Sequence, residues 1–181
     1  ISETRLVKLQ VRLRTMLVVV AAAAVPLMFA ARTYRDFRRE RDVADYLVGR
    51  GAVVRTVASS RAFGIAWPRV ASVQFTQDQF HQVGGDSQLT AADFDRLARL
   101  PELEELVLHG DVLPADLVPR LASLRTLRSL VLLHCPLDDE QVRRLGALPN
   151  LRTLTLEAAG VTESALDDLR RTLPDLEIFD D

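Results

Sequence analysis

Residues 127–137 read LRSLVLLHCPL, with leucines at 127, 130, 132 and 137 and the only cysteine of the chain at 135. The middle of this stretch alternates in the manner of a strand, so Leu130 and Leu132 point to one side and Val131 and Leu133 to the other. The leading apolar residue recurs along the chain as Val70, Leu103, Leu127, Leu151 and Leu176. Its middle steps are 24 residues (127−103 and 151−127) and its last step is 25 (176−151). A second set, Leu89, Leu113, Leu137 and Val161, keeps a spacing of 24 throughout. Two registers with one period describe stacked supersecondary units, each of which buries its apolar side only against its neighbours.

Each unit has a second half with apolar residues three apart: Phe94, Leu97, Leu100 and Leu103, then Val142, Leu145, Leu148 and Leu151. This spacing predicts helices with one inward face. Thr90, Pro114, Asp138 and Thr162 mark their starts, and Thr90 with Asp93 and Asp138 with Gln141 have capping-box spacing. The first unit is expanded by HQVGGDSQ between Phe80 and Leu89, where the glycine pair predicts a surface loop. A charged stripe of Glu104, Arg128, Arg152 and Glu177 is expected to cross the strands, and Arg96, Arg99, Arg120, Arg143 and Arg144 to lie on a solvated helical face.

Leu127, Leu130, Leu132, Cys135 and Leu137 match in full the pattern L-x-x-L-x-L-x-x-N/C-x-L. On these residues the chain, from 70 to 181, resembles leucine-rich-repeat proteins, and its strand-plus-helix unit resembles the ribonuclease-inhibitor-like and cysteine-containing subtypes. The layout as a whole resembles short bacterial membrane-anchored proteins of this kind. The resemblance implies an α/β solenoid with parallel strands on a concave face and helices on a convex one. It also implies that Cys135 is a buried rung in the turn leaving its strand. Asp78, Asp111 and Ala159 hold the equivalent slot, so a regular asparagine ladder is missing and less regular turns are expected. A reactive thiol would instead need an exposed, electropositive setting.

Ahead of the repeats, residues 15–31 (TMLVVVAAAAVPLMFAA) carry no charge, with Arg12 and Arg14 before them and Arg32 and Arg35 after. As a helix they would cover about 25 Å, short for a hydrocarbon core of roughly 30 Å but within reach if the arginines snorkel. A signal peptide and a buried soluble helix are the rival readings. The first has poor cleavage sites here and the second fits the flanking arginines badly. The expected organisation is a basic tail (1–14), a transmembrane helix (15–32), a juxtamembrane helix with an N-terminal cap (33–69), and the repeat domain (70–181), in a single-pass membrane protein. Within the cap, a helix ends near Gly49 or Gly51, Ala52–Val57 has strand character, Ser59–Pro68 reads as a loop, and Trp67 reads as a packing plug.

The bulk numbers bear on function. A net charge of −2 with 6% aromatic residues argues against a nucleic-acid binder, and one cysteine against a disulfide-stapled scaffold. No phosphate-loop, nucleophile-elbow, zinc-helix or paired-cysteine motif is present. No cofactor is expected. The one constellation with chemical potential is His109 and His134 on adjacent turns, near Asp111 and Glu157, which would serve a metal-dependent hydrolase. Zinc sites need three or four ligands, and the two histidines are not at strictly equivalent positions. The favoured reading is a non-catalytic protein-interaction module with its partner on the concave face, at Val107, His109, Val131, Leu133, Thr155 and Glu157. A purely structural membrane appendage is the third class. Val107, Val131 and Leu133 would form a small apolar centre among polar residues.

Overall fold

The computed structural model describes residues 24, 27, 28, 31–62, 65–78, 88–110 and 112–180. Strand alternation sets the architecture. In β3 (Glu105–His109), β4 (Ser129–Leu133) and β5 (Thr153–Glu157), every second side chain is buried. Leu106, Leu108, Leu130, Leu132, Leu154 and Leu156 are all 0% exposed. Parallel sheets covered on both faces have continuous apolar runs. The alternation here means that a single face is packed.

Six strands form one sheet in sequence order. β1 (Val53–Ala62) and β2 (Ile65–Thr76) pair antiparallel, and each later junction, through to β6 (Glu177–Asp180), is parallel. The buried leucines abut α2 (Ala91–Leu97), a 3₁₀ helix (Ala115–Ser123), α3 (Asp139–Arg144) continued by a 3₁₀ turn (Leu145–Ala147), and α4 (Glu163–Thr172).

The apolar spacing of three is buried as expected: Phe94, Leu97, Leu100 and Leu103 are inside, as are Val142, Leu145, Leu148 and Leu151. Only the first part of each set is helical, however. A spacing of three matches the 3₁₀ period and continues into the turn before the next strand. In the second unit Pro119 lies inside the helical segment and lacks the N–H that an α-helix interior needs; the whole segment is 3₁₀. Asp138 and Gln141 form the expected capping box, Gln141 N donating to Asp138 Oδ1 at 2.8 Å and Asp138 N to Gln141 Oε1 at 2.9 Å.

Before the sheet, helix α1 (residues 31–49) presents Glu40, Val43, Ala44 and Leu47 inward at helical spacing. It ends in a Schellman motif, with Ala52 N–H bonded to Leu47 O at 2.9 Å and Gly51 N–H to Val48 O at 2.9 Å. Gly51 adopts φ 89°, which places β1 directly after the helix. Residues 59–62 and 65–68, expected to be loop, are strands of the β1–β2 hairpin. Only Ser72–Thr76 of β2 pairs with β3, so Pro68 stands where no donor is needed on that side. The side chain of Trp67 and the 79–87 insertion lie outside the described residues.

The expected transmembrane helix falls almost wholly outside the described residues. Among those described, no helix is long and apolar enough to cross a membrane. Helix α1 carries arginines and carboxylates from Arg32 to Asp45 along its length, which explains this. The expectation of a single-pass membrane protein is overturned.

A polar cluster fastens α1 to the first repeat. The Asp93 side chain is fully buried and accepts hydrogen bonds from Thr90 Oγ1 (2.7 Å), Thr90 N (2.8 Å), Tyr46 Oη (3.0 Å) and Arg50 Nη2 (3.3 Å). Arg96 stacks 3.6 Å over the Tyr46 ring. Burial pushes the Asp93 carboxyl up, but the Thr90 bonds, the Tyr46 hydroxyl and the Arg50 charge outweigh it and hold it below its usual 3.8. A folded value below the unfolded one contributes stability that is complete above the unfolded pKa. That contribution is lost as pH falls through the folded pKa. Asp93→Asn is therefore expected to cost about 2 kcal/mol at pH 7, and its deficit relative to the wild type shrinks below pH 4, as read by urea unfolding across pH.

Candidate partner-binding face

The parallel ladders put the sequence-predicted residues side by side. Gln74, Val107, Val131 and Thr155 are directly paired across β2–β5. Thr76, His109, Leu133 and Glu157 form the next row. Both rows lie on the face opposite the helices, and all eight side chains are half-buried. Val107, Val131 and Leu133 are therefore contiguous. The own-chain segments that could fold over Leu133, around residues 80–89 and Trp67, lie largely outside the described residues.

Two residues of this face escaped the sequence reading. Glu177 pairs with Thr153 and Phe179 with Thr155. The last strand thus keeps the 24-residue step (177−153), and Leu176 does not hold the leading position that sequence alignment assigned to it. Glu177 belongs to the row of Ser72, Glu105, Ser129 and Thr153, outside the expected stripe of Glu104, Arg128 and Arg152. Phe179 is 54% exposed and extends the apolar row. Counting back in 24s from β6 would have found both.

Each of β3, β4 and β5 ends at a left-handed residue: Gly110 (φ 81°), His134 (φ 56°) and Ala158 (φ 53°), again 24 apart. This corner turns the chain toward the helical side. Gly110 N–H bonds to Leu133 O, and His134 N–H to Glu157 O, both at 2.8 Å, which ties neighbouring corners together. A Cβ on Gly110 would lie 2.8 Å from Gln77 Oε1.

Cys135 follows the second corner and is 1% exposed. Its Sγ faces the carbonyl oxygens of Gly110 (3.3 Å), Leu108 (3.6 Å) and Leu133 (3.7 Å). The thiol is thus a small buried filler that donates weakly to backbone. Ala159 in the equivalent slot is also buried.

The His109 and His134 rings do meet, with centroids 5.4 Å apart and planes tilted by 52°. His134 Nε2 lies 3.8 Å from Glu157 Oε1. Among the described residues no group of three or more histidines, cysteines or carboxylates could hold a metal, and Asp111 and His81 lie outside them. The geometry of a metal-dependent hydrolase is not assembled by the described residues.

Sequence reasoning also missed a cleft of about 750 Å³ between α1 and the first repeat, lined by Asp36, Arg39, Glu40, Arg69, Arg96 and Arg99 among others. Burial pushes the Glu40 carboxyl up, and the adjacent Arg69 guanidinium offsets this only in part. Arg69 bridges Glu40 and Glu102, the latter at 3.9 Å.

Residues 91–180 match the family model for the leucine-rich repeats of the FBD-associated F-box protein At5g56370. With the 24-residue units and the one-sided sheet, this places the chain in the leucine-rich-repeat family. No curated protein matches it at a significant level.

The corner and the thiol each give an expected outcome. Gly110→Ala lowers stability by about 1–2 kcal/mol through the left-handed backbone, with the Gln77 contact adding to it. Ala158→Gly leaves stability unchanged or raises it by up to ~1 kcal/mol. Denaturant unfolding of the two variants checks the contrast. Cys135 is expected to react slowly with a thiol reagent in the native protein and fast in denaturant. Rapid native labelling would contradict its role as a buried rung.

Proposed function

We propose that this chain is a non-catalytic protein-interaction module, a short α/β solenoid whose concave face receives a protein partner. Residues 33–69 serve as its N-terminal cap: α1 covers the first unit, and β1 closes that side of the sheet antiparallel to β2. Val107, His109, Val131, Leu133, Thr155 and Glu157 form the contact. The observation that carries the reading is the cross-strand contiguity of Val107 and Val131 beside Leu133, on a face that bears no second layer among the described residues.

Leu133 stands in a row with Thr76, His109 and Glu157 and does nothing for the packed side, where Leu130 and Leu132 are already fully buried. An apolar side chain held half-exposed amid polar neighbours suits a contact in which a few central residues carry most of the energy. Family membership supports the same class of function.

Leu133→Asp tests it. The expected outcome is loss of partner recovery in cross-linking of the full chain, with the melting temperature within a few degrees of wild type. A large drop in melting temperature would show instead that Leu133 is covered by the protein's own chain, and would remove it from the face.

A further inference from the structure

The charges on the open face of β3–β6 are one-sided. Across β3–β6 its side chains include three carboxylates, Glu105, Glu157 and Glu177, and no lysine or arginine; Arg55 stands beyond them on β1, opposite Ser72. The arginines on the rim just before β4 and β5 are already engaged. Arg128 pairs with Glu104 at 3.7 Å and Arg152 with Asp175 at 2.6 Å. Among the described residues none of the three face carboxylates pairs with an arginine. Glu157 has the His134 ring at 3.8 Å.

Placement matters as much as sign. Glu105 and Glu177 stand in the first row and Glu157 in the third. Four residues along a strand separate these rows, roughly 13 Å. Between them runs the second row, with Val107, Val131, Thr155 and Phe179 on successive strands. Anything seated on that row also covers carboxylates on both sides. Covering them without an opposite charge costs their hydration with no return.

We infer that the open face selects a cationic amphipathic segment, lying across the strands with its apolar stripe on Val107, Val131 and Phe179 and its arginines or lysines beside Glu105, Glu177 and Glu157. A helix is 10–12 Å wide with its side chains and fits between the two acidic rows. This rests on the proposed partner-binding role of the face and adds the chemistry of the partner.

The test uses the full chain and two synthetic amphipathic peptides with the same leucine stripe, one with arginines flanking it and one with glutamates. The arginine peptide is expected to bind, more weakly as salt rises. The double variant Glu105→Gln/Glu157→Gln binds it about five- to tenfold less tightly, while Glu163→Gln/Asp167→Asn on the helical side leaves affinity unchanged. Equal weakening by both double variants, or by neither, overturns the inference, as does failure of both peptides to bind. If the glutamate peptide binds as well and Leu133→Asp abolishes that binding, the charge inference falls and the face stands. If the arginine peptide binds but neither the two glutamates nor Leu133 affects it, both fall.

Discussion

The parallel ladder constrains everything else in this chain. A residue of one strand must sit opposite its equivalent in the next, so each excursion through the helical side has to return the chain in register. A slip of one residue would turn Leu130 and Leu132 outward and Val131 and Leu133 inward, because the side-chain period is two. The constant step from Glu105 to Ser129, Thr153 and Glu177 is the result. The return path can be α-helical, as in α4, or wholly 3₁₀, as around Pro119, provided its ends land in place.

The corner residues show how the ladder is closed locally. The left-handed turn after each strand lets the corner amide reach the neighbouring strand's last carbonyl, and it aims the next side chain, such as Cys135, back into the core. At Gly110 a Cβ would press on the neighbouring Gln77 side chain; at His134 and Ala158 a side chain is accommodated. At the other end of the domain, a different device joins α1 to the repeats: a buried carboxylate ringed by donors. Apolar stacking holds unit to unit, and Asp93 adds a polar tie to the apolar packing of Leu47 that holds the non-repeating helix to the first of them.

Most of the fold was legible because repetition multiplies weak signals. One alternating pentad is ambiguous, whereas the same pentad three times at one spacing is not. Where repetition stopped, so did legibility. The β1–β2 hairpin was read as loop from Ser59 to Pro68, because its polar and proline-containing stretch pairs with a single neighbour and has no sheet-wide pattern to obey. Leu176 imitated a leading leucine and displaced the last strand by one residue, which hid Glu177 and Phe179 from the predicted face. The apolar stretch near the N-terminus was given a membrane-spanning role that the charged helix following it does not share.

The first repeat departs from this uniformity: 33 residues separate Ser72 from Glu105, where later steps take 24. Loop closure grows only with the logarithm of length, so the longer excursion raises the entropic barrier by about 0.3 kcal/mol. Contacts elsewhere in the sheet join residues one short step apart along the chain, a topology that assembles quickly and by simple propagation. The insertion therefore scarcely delays assembly. An excursion that runs nine residues longer than the later ones while its strands keep their register tolerates a change of length, and variation in length among the chain's descendants would collect there.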